Sequence, residues 1–131
     1  MTKKNMLLLV MTGAVALFTG CSSLQTGNAF NNQKIAPSGT GVAHVSGYTA
    51  GLYLLWIPLF VGSAESPGKI AWNEDSCNVT AVTKMVTGKS KTMNASRTID
   101  LVSTSNSANI PIPFPYIFYW RTVNVSGNAV R

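Results

Sequence analysis

Apolar and polar positions divide the chain into short segments with different periods. Residues 42–48 and 97–103 alternate apolar and polar side chains, which is typical of strands with one buried face. Residues 52–61 and 116–125 are apolar at both alternate sets of positions, which predicts strands covered on both faces. Pro58 has no N–H to donate, so pairing should falter there. For residues 52–61 we expect a core strand, and the alternative is a hairpin that contacts a partner or a membrane.

A helix is predicted over about residues 73–93, where apolar side chains recur at near-helical spacing. Glu74 and Asp75 would lie in its first turn and three lysines late in it, an order that complements the helix dipole. The two carboxylates are therefore interpreted as capping groups rather than as a catalytic pair.

The segments after this helix predict a return to strands. Residues 104–109 are polar and predict a turn, and the proline-rich residues 110–115 should be extended and outside any sheet. Residues 116–125 form the clearest strand, which we place at the centre of the sheet with Trp120 as its largest buried side chain. The whole pattern predicts an α+β fold, a small mostly antiparallel sheet with one covering helix in the approximate order β-β-α-β-β.

A thirteen-residue apolar run, from Met6 to Phe18, follows two lysines near the start of the chain. As a helix it would be about 20 Å long, which is short of a hydrocarbon core of about 30 Å. That length, followed by small residues, is typical of a secretory signal peptide rather than of a membrane span.

The run leads into Leu17-Phe18-Thr19-Gly20-Cys21, which resembles the lipobox of bacterial lipoproteins. The resemblance implies that Leu17, Phe18, Thr19 and Gly20 are read by the processing peptidase. It also implies that the Cys21 thiol carries acyl chains of the palmitate type and that the chain is cut before this residue. Phe18 departs from the pattern, because leucine is usual three residues before the cysteine. The alternative is an ordinary signal peptide in which Cys21 has no special role.

The predicted organisation follows from this processing. Residues 1–20 are the signal peptide, residues 21–40 are the lipidated cysteine with a flexible tether, and residues 41–131 are a small α+β domain. In bacterial lipoproteins an Asp after the lipidated cysteine marks retention in the inner membrane. Ser22 stands there instead, which favours the outer membrane, with the domain facing the periplasm.

The later half of the chain loosely resembles small envelope lipoproteins of unknown function. In these a helix is followed by a hairpin that ends in a stretch like residues 127–130 (GNAV). The resemblance implies a small α+β sheet with a covering helix, and it assigns no functional residue.

The net charge and the number of cysteines restrict the possible partners and the redox chemistry of the chain. Without residues 1–20, eight basic side chains oppose four carboxylates, which gives a net charge of +4, and no block of basic residues predicts a nucleic-acid partner. With Cys21 lipidated, Cys77 has no second cysteine to pair with, so we expect a buried free thiol on the helix. The expected partners are a membrane, through the lipid, and an envelope protein.

The sequence lacks the motifs of catalysis and metal binding. His44 is the only histidine, and no CxxC, HxxxH or EF-hand pattern occurs, so we expect neither a metal nor another cofactor. A Ser/His/Asp set built from His44 with Asp75 or Asp100 lacks the GxSxG nucleophile motif. We therefore expect a non-enzymatic binding or structural module of the cell envelope. The alternative is a small periplasmic hydrolase or peptidoglycan-modifying enzyme.

Aromatic and large apolar side chains supply a candidate partner surface. Displayed together, they would form a patch for a protein or for the membrane interface, where Trp and Tyr are favoured. Buried, they would be ordinary core. The candidate residues are Trp56, Phe60, Ile112, Phe114 and Tyr116.

Overall fold

The computed structural model describes residues 21–31, 33–111 and 116–131, which form six strands and one helix. All strand pairs are antiparallel, and the order across the sheet is β4-β3-β2-β6-β5, with β1 also paired to β2. The predicted class, a small mostly antiparallel sheet with one helix, is confirmed, although the sequence pattern predicts only four strands. In chain order the elements are β1 (Ser22–Gly27), β2 (Gly41–Leu54), β3 (Ile57–Gly62), β4 (Ile70–Trp72), α1 (Val79–Thr92), β5 (Arg97–Ile110) and β6 (Phe118–Val130).

Strands β2 and β6 form the centre of the sheet and pair along almost their whole lengths. α1 covers one face of this pair, and the core lies between the helix and the two strands. Strong β-formers with short branched side chains dominate it, which lets the helix pack closely on the pleated surface. The buried valines are Val45, Val61, Val82, Val86, Val123, Val125 and Val130.

Gly47 sets how closely the helix approaches β2. A Cβ at this position would lie 2.7 Å from Met85 Cε, 2.8 Å from Val86 Cγ2 and 3.2 Å from Val82 Cγ1. Because real Cβ atoms do not come so near, glycine is what allows these three side chains to pack directly on the strand backbone.

The segment after Cys21 is a strand, not the start of a flexible tether. Ser22–Gly27 pairs with β2 from Thr49 to His44. β3 pairs only with the end of β2, so the rest of that edge carries N–H and C=O groups that β1 satisfies. The polar side chains of β1 suit an exposed edge, and Leu24 packs against the core. The prediction of a tether is therefore wrong for these residues.

Residues 33–40 also lie against the sheet. Thr40 and Arg131 exchange two backbone hydrogen bonds, of 3.1 and 2.9 Å. The Asn128 side chain donates a 2.8 Å hydrogen bond to the carbonyl of Ile35, and Ala36 is buried. These contacts attach the segment before β2 to the end of β6.

The apolar stretch predicted to be a core strand is a hairpin instead, so that prediction is wrong. β2 ends at Leu54 and β3 begins at Ile57, and these two residues pair across a two-residue turn. Leu55 in this turn has a φ of 55°, in the left-handed region where glycine or asparagine is usual. Its N–H donates a 2.8 Å hydrogen bond to the carbonyl of Ile117, which ties the turn to the chain before β6.

The helix is shorter than predicted and begins at Val79. Asn78 caps it, because its backbone is extended and its side chain accepts a 2.8 Å hydrogen bond from the Ala81 N–H. Glu74 and Asp75 precede the helix, so their interpretation as capping groups is wrong. Two of the predicted lysines do lie in its last turn.

β5 is one unbroken strand from Arg97 to Ile110 and includes residues 104–109, which the sequence predicts to be a turn. It lies at the edge of the sheet, and most of its side chains are exposed. Serine, threonine and asparagine occupy such a strand without any desolvation cost. A polar run is therefore no reliable sign of a turn at a sheet edge.

β6 begins at Phe118, two residues after the predicted start, and is central as predicted. Gly127 is buried within the strand, and the Leu101 side chain lies directly over it. Of the proline-rich connection, residues 112–115 lie outside the described residues.

Gly47→Ala should destabilise the protein, because the new Cβ would overlap Met85 and Val86. The expected loss is about 1–3 kcal/mol of unfolding free energy, the usual range for overpacking, measured by urea unfolding. Gly88→Ala is the matched control, since Gly88 lies on the exposed side of α1 with open space around it. Alanine there should add up to about 1 kcal/mol through helix propensity. Equal stabilities of the two variants would contradict the close approach of α1 at Gly47.

Candidate functional site

Cys21, the residue expected to carry lipid, is attached directly to the sheet. Its carbonyl accepts a 2.7 Å hydrogen bond from the Ala50 N–H of β2, and the residue is exposed. The end of β3 abuts it, because a Cβ on Gly62 would overlap the Cys21 carbonyl group. Cys21 therefore lies at the junction where β3 ends and β1 begins along the same edge of β2.

The register assigns the Cys21 side chain to the sheet face opposite α1. Ser22 pairs with Thr49, whose hydroxyl donates a 3.4 Å hydrogen bond to the Ser76 carbonyl on the helix side. Side chains alternate along a strand, so Cys21 and Ala50 point the other way. We call the sheet face opposite α1 the open face.

Two rows of apolar side chains cross the open face near the β2–β3 turn, and we call them the apolar rows. Trp72 is the most exposed large side chain in these rows, at 70%, and its ring meets that of Phe60 edge to face with the centroids 4.6 Å apart. The strand register aligns Trp72, Phe60, Leu52, Trp120 and Ala108 in the first row, and Ile57, Leu54, Phe118 and Ile110 in the second.

Beyond Cys21 the open face is mainly polar, although Val102 is 62% exposed there and Tyr48 is half-buried. His44 Nδ1 and Asn128 Oδ1 form a 2.8 Å hydrogen bond, and the Ser46 hydroxyl donates to Asn124 at 3.3 Å. Cys21 therefore lies at the boundary between the apolar and the polar half of this face. The residues level with it on the neighbouring strands are Ala50, Thr122 and Asn106.

The predicted partner residues are brought together only in part. Trp56, at the tip of the β2–β3 turn, and Tyr116, just before β6, are 79% and 73% exposed at the same end of the sheet. Phe60 is half-buried in the first apolar row. Ile112 and Phe114 lie outside the described residues, as do residues 17–20, predicted for peptidase recognition.

Sequence reasoning misses Trp72 and assigns Trp120 to the core. Trp120 and Phe118 are half-buried on the open face, whereas Val123 and Val125 fill the core under α1. The alternation within residues 116–125 separates these two sets, but it does not say which set the helix covers. Trp72 belongs to a three-residue strand, which is too short to show a period.

A polar cluster lies on the helix side of the sheet, near the β2–β3 turn. The Tyr53 hydroxyl donates a 2.5 Å hydrogen bond to Asp75, and the Arg121 guanidinium carbon lies 5.0 Å from the centre of the Tyr53 ring. Burial and the hydrogen bond to Asp75 hold the pKa of Tyr53 far above its usual range. These groups, together with Trp56 and Tyr119, line a pocket of about 390 Å³.

Cys77 is buried and free, as predicted, but it precedes the helix instead of lying on it. Its thiol donates towards the backbone carbonyls of Arg121, at 3.3 Å, and Thr49, at 3.6 Å. Burial raises the pKa of the Cys77 thiol, which keeps it protonated and unreactive at neutral pH.

Among the described residues, His44 forms no direct hydrogen bond to a carboxylate. Asp100 connects to His44 only through Asn128, whose side-chain amide donates to Asp100 at 3.1 Å. Within the described ranges, His, Cys, Asp and Glu do not gather in groups of three or more that would hold a metal ion. In the same ranges, no helix has the length and apolar character needed to cross a membrane.

A thiol-reactive probe should modify Cys77 slowly in the folded protein and rapidly in denaturant, because the side chain is almost wholly buried. The Cys21→Ser variant isolates this signal, and the rate is followed by mass spectrometry. Fast labelling under native conditions, or a disulfide-linked dimer on a non-reducing gel, would contradict the burial of this thiol.

Tyr53 should make the protein sensitive to alkali. Its pKa is raised on folding, so the folded state keeps a proton that the unfolded state loses, and the stabilisation disappears as pH rises above about 10. Tyr53→Phe should therefore flatten part of the decline in unfolding free energy above that pH. Tyr116→Phe, at the exposed end of the sheet, is the control and should behave as wild type. If the unfolding free energy of Tyr53→Phe declined above pH 10 as steeply as that of wild type, groups other than Tyr53 would cause the alkaline loss of stability.

Similarity to known proteins assigns neither a family nor a function to this chain. Comparisons with protein-family models, with curated proteins and with solved structures find no match for this chain.

Proposed function

We propose that the mature chain is a lipid-anchored protein of the bacterial cell envelope that acts as a non-enzymatic binding or structural module. The observation that carries the proposal is the placement of Cys21. This cysteine directly follows a lipobox-like sequence and is exposed at the head of the first strand.

The anchor supplies attachment without any contribution from the rest of the fold. Each buried methylene of an acyl chain contributes about 0.8 kcal/mol, so two or three chains hold a protein to a bilayer almost permanently. An exposed cysteine at the edge of the sheet leaves room for such chains outside the core. Cys77, buried under Arg121 and Thr49, offers no such room.

The contacts of the potentially reactive side chains support a non-enzymatic role. The Cys77 thiol has a raised pKa, whereas a nucleophilic cysteine needs a lowered one. The Tyr53 hydroxyl is committed to Asp75, and His44 is hydrogen-bonded to Asn128. Packing and hydrogen bonds between elements explain these groups, and the exposed aromatic end of the sheet supplies a surface for contact with an envelope partner or with the membrane.

We place the protein at the outer membrane, facing the periplasm, because Ser22 and not Asp follows Cys21. In the folded chain Ser22 is buried, and its hydroxyl accepts a 3.0 Å hydrogen bond from the Gly68 N–H. The mature net charge of +4 adds a weak attraction to anionic headgroups that salt screens within about 8 Å.

Cys21→Ser should abolish both lipidation and processing, because the hydroxyl cannot form the thioether that precedes cleavage. Cells fed a labelled fatty acid should mark the wild-type protein, whereas the variant should remain an unlabelled precursor of higher mass. Cys77→Ser is the matched control and should keep the label, since its thiol is buried. Equal labelling of wild type and Cys21→Ser would contradict the proposal.

A further inference from the structure

The open face has an apolar half that faces away from the covering helix. Among the described residues, α1 packs on the other face, against the core valines. On the open face Trp72, Ile57 and Ile70 are exposed, whereas Leu52 is buried and Phe60 and Trp120 are half-buried. Trp56 and Tyr116 are exposed at the adjoining turn end of the sheet. Exposed apolar groups of this extent mark a surface that meets a partner or a membrane.

We propose that the apolar rows lie on the bilayer that holds the lipid of Cys21, with Cys21 itself at the level of the headgroups. The proposal rests on the lipid anchor proposed above and adds a second contact with the membrane. It assigns the apolar half of the open face to lipid and the polar half to water.

The position of Cys21 on the open face is the first support. Its carbonyl is bound to Ala50, so the acyl chains leave the protein from a fixed point of the sheet. The apolar rows lie two and four residues farther along β2, which is about 7 and 14 Å from the level of Cys21. Because no flexible stretch separates the cysteine from β1, chains that enter the bilayer bring this face to its surface.

The boundary at Cys21 is the second support. On its far side the face carries His44, Ser46 and Asn124, whose side chains form hydrogen bonds with groups on neighbouring strands, and Val102 is the exposed apolar exception among the described residues. On its near side it carries the apolar rows, with Trp72 the most exposed of them. A face with one apolar and one hydrated half, divided at the anchor, fits a membrane surface, where tryptophan and tyrosine are favoured.

The charge distribution is the third support. Glu65, Glu74 and Asp75 line a groove beside α1, and Asp100 lies at the opposite end of the sheet, next to Asn128. Asp100 is therefore distant from the apolar rows, whereas Glu74 follows Trp72 by two residues and Asp75 lines a pocket with Trp56. Lys69 is exposed directly before Ile70, near the level of Cys21, where an ammonium group would meet lipid phosphates.

Quenching of tryptophan fluorescence by brominated lipids tests this contact. The lipidated protein is reconstituted in vesicles of phosphatidylethanolamine and phosphatidylglycerol that contain a phosphatidylcholine brominated on its acyl chains. One variant, Trp56→Phe/Trp120→Phe, keeps Trp72 as its single tryptophan. The control replaces all three tryptophans by phenylalanine and carries Thr104→Trp, at an exposed position on the polar half of the open face.

We expect bromolipid to quench Trp72 several-fold more strongly than the tryptophan at position 104. Slow Cys77 labelling and fatty-acid incorporation are measured on the same samples, so that folding and lipidation are known for each variant. No difference between the two positions in lipidated, folded protein would overturn the bilayer contact and leave the lipid anchor intact. Absence of fatty acid on Cys21 would overturn the anchor and the contact together.

A photoreactive residue separates a lipid occupant from a protein occupant. Trp72→p-benzoylphenylalanine is introduced into the full chain in cells, with the same residue at position 104 as control. The bilayer contact predicts a phospholipid adduct at position 72 that is absent at position 104. A discrete protein adduct at position 72 would overturn it and would identify an envelope partner as the occupant of the apolar rows.

Discussion

The antiparallel pairing of β2 with β6 is the constraint on which the rest of the structure depends. This pairing runs from Gly41 and Val130 at one end to Leu54 and Phe118 at the other, so it fixes the register of the whole sheet. A shift of one residue would turn every side chain to the other face. The same register puts the valines under α1 and aligns the tryptophans across the open face. Core and candidate surface are therefore two consequences of a single ladder of backbone hydrogen bonds.

Sequence patterns predict those parts of the fold whose side chains respond to burial. The alternation in residues 116–125 identifies β6 and its central place, and the apolar spacing after residue 78 identifies the helix. Cys77 is buried as its residue type predicts. Each of these segments contacts the core, so its hydrophobic period follows its structure.

The remaining features leave no such trace in the sequence. β1 and most of β5 lie at sheet edges, where polar side chains stay in water and only the backbone pairs. The β2–β3 turn is formed by Leu55 in a left-handed conformation, so it lacks the glycine or asparagine that would reveal it. The candidate site could not be predicted for another reason. Alternation shows that Trp120 and Val123 lie on opposite faces of the strand, but it does not show which face the helix covers. Only the three-dimensional register brings Trp72, Phe60 and Trp120 into one row and places Cys21 beside it.

The direct attachment of Cys21 to the sheet has a consequence for the order of maturation. A peptidase that cuts before this cysteine must grip the chain on both sides of the scissile bond, which requires Ser22 and its neighbours to be extended and free. In the folded protein Ser22 is buried, and the Cys21 carbonyl is bound to Ala50. If Cys21 is the processing site, cleavage requires β1 to be detached from β2, so the matching edge of β2 is unpaired while the peptidase acts.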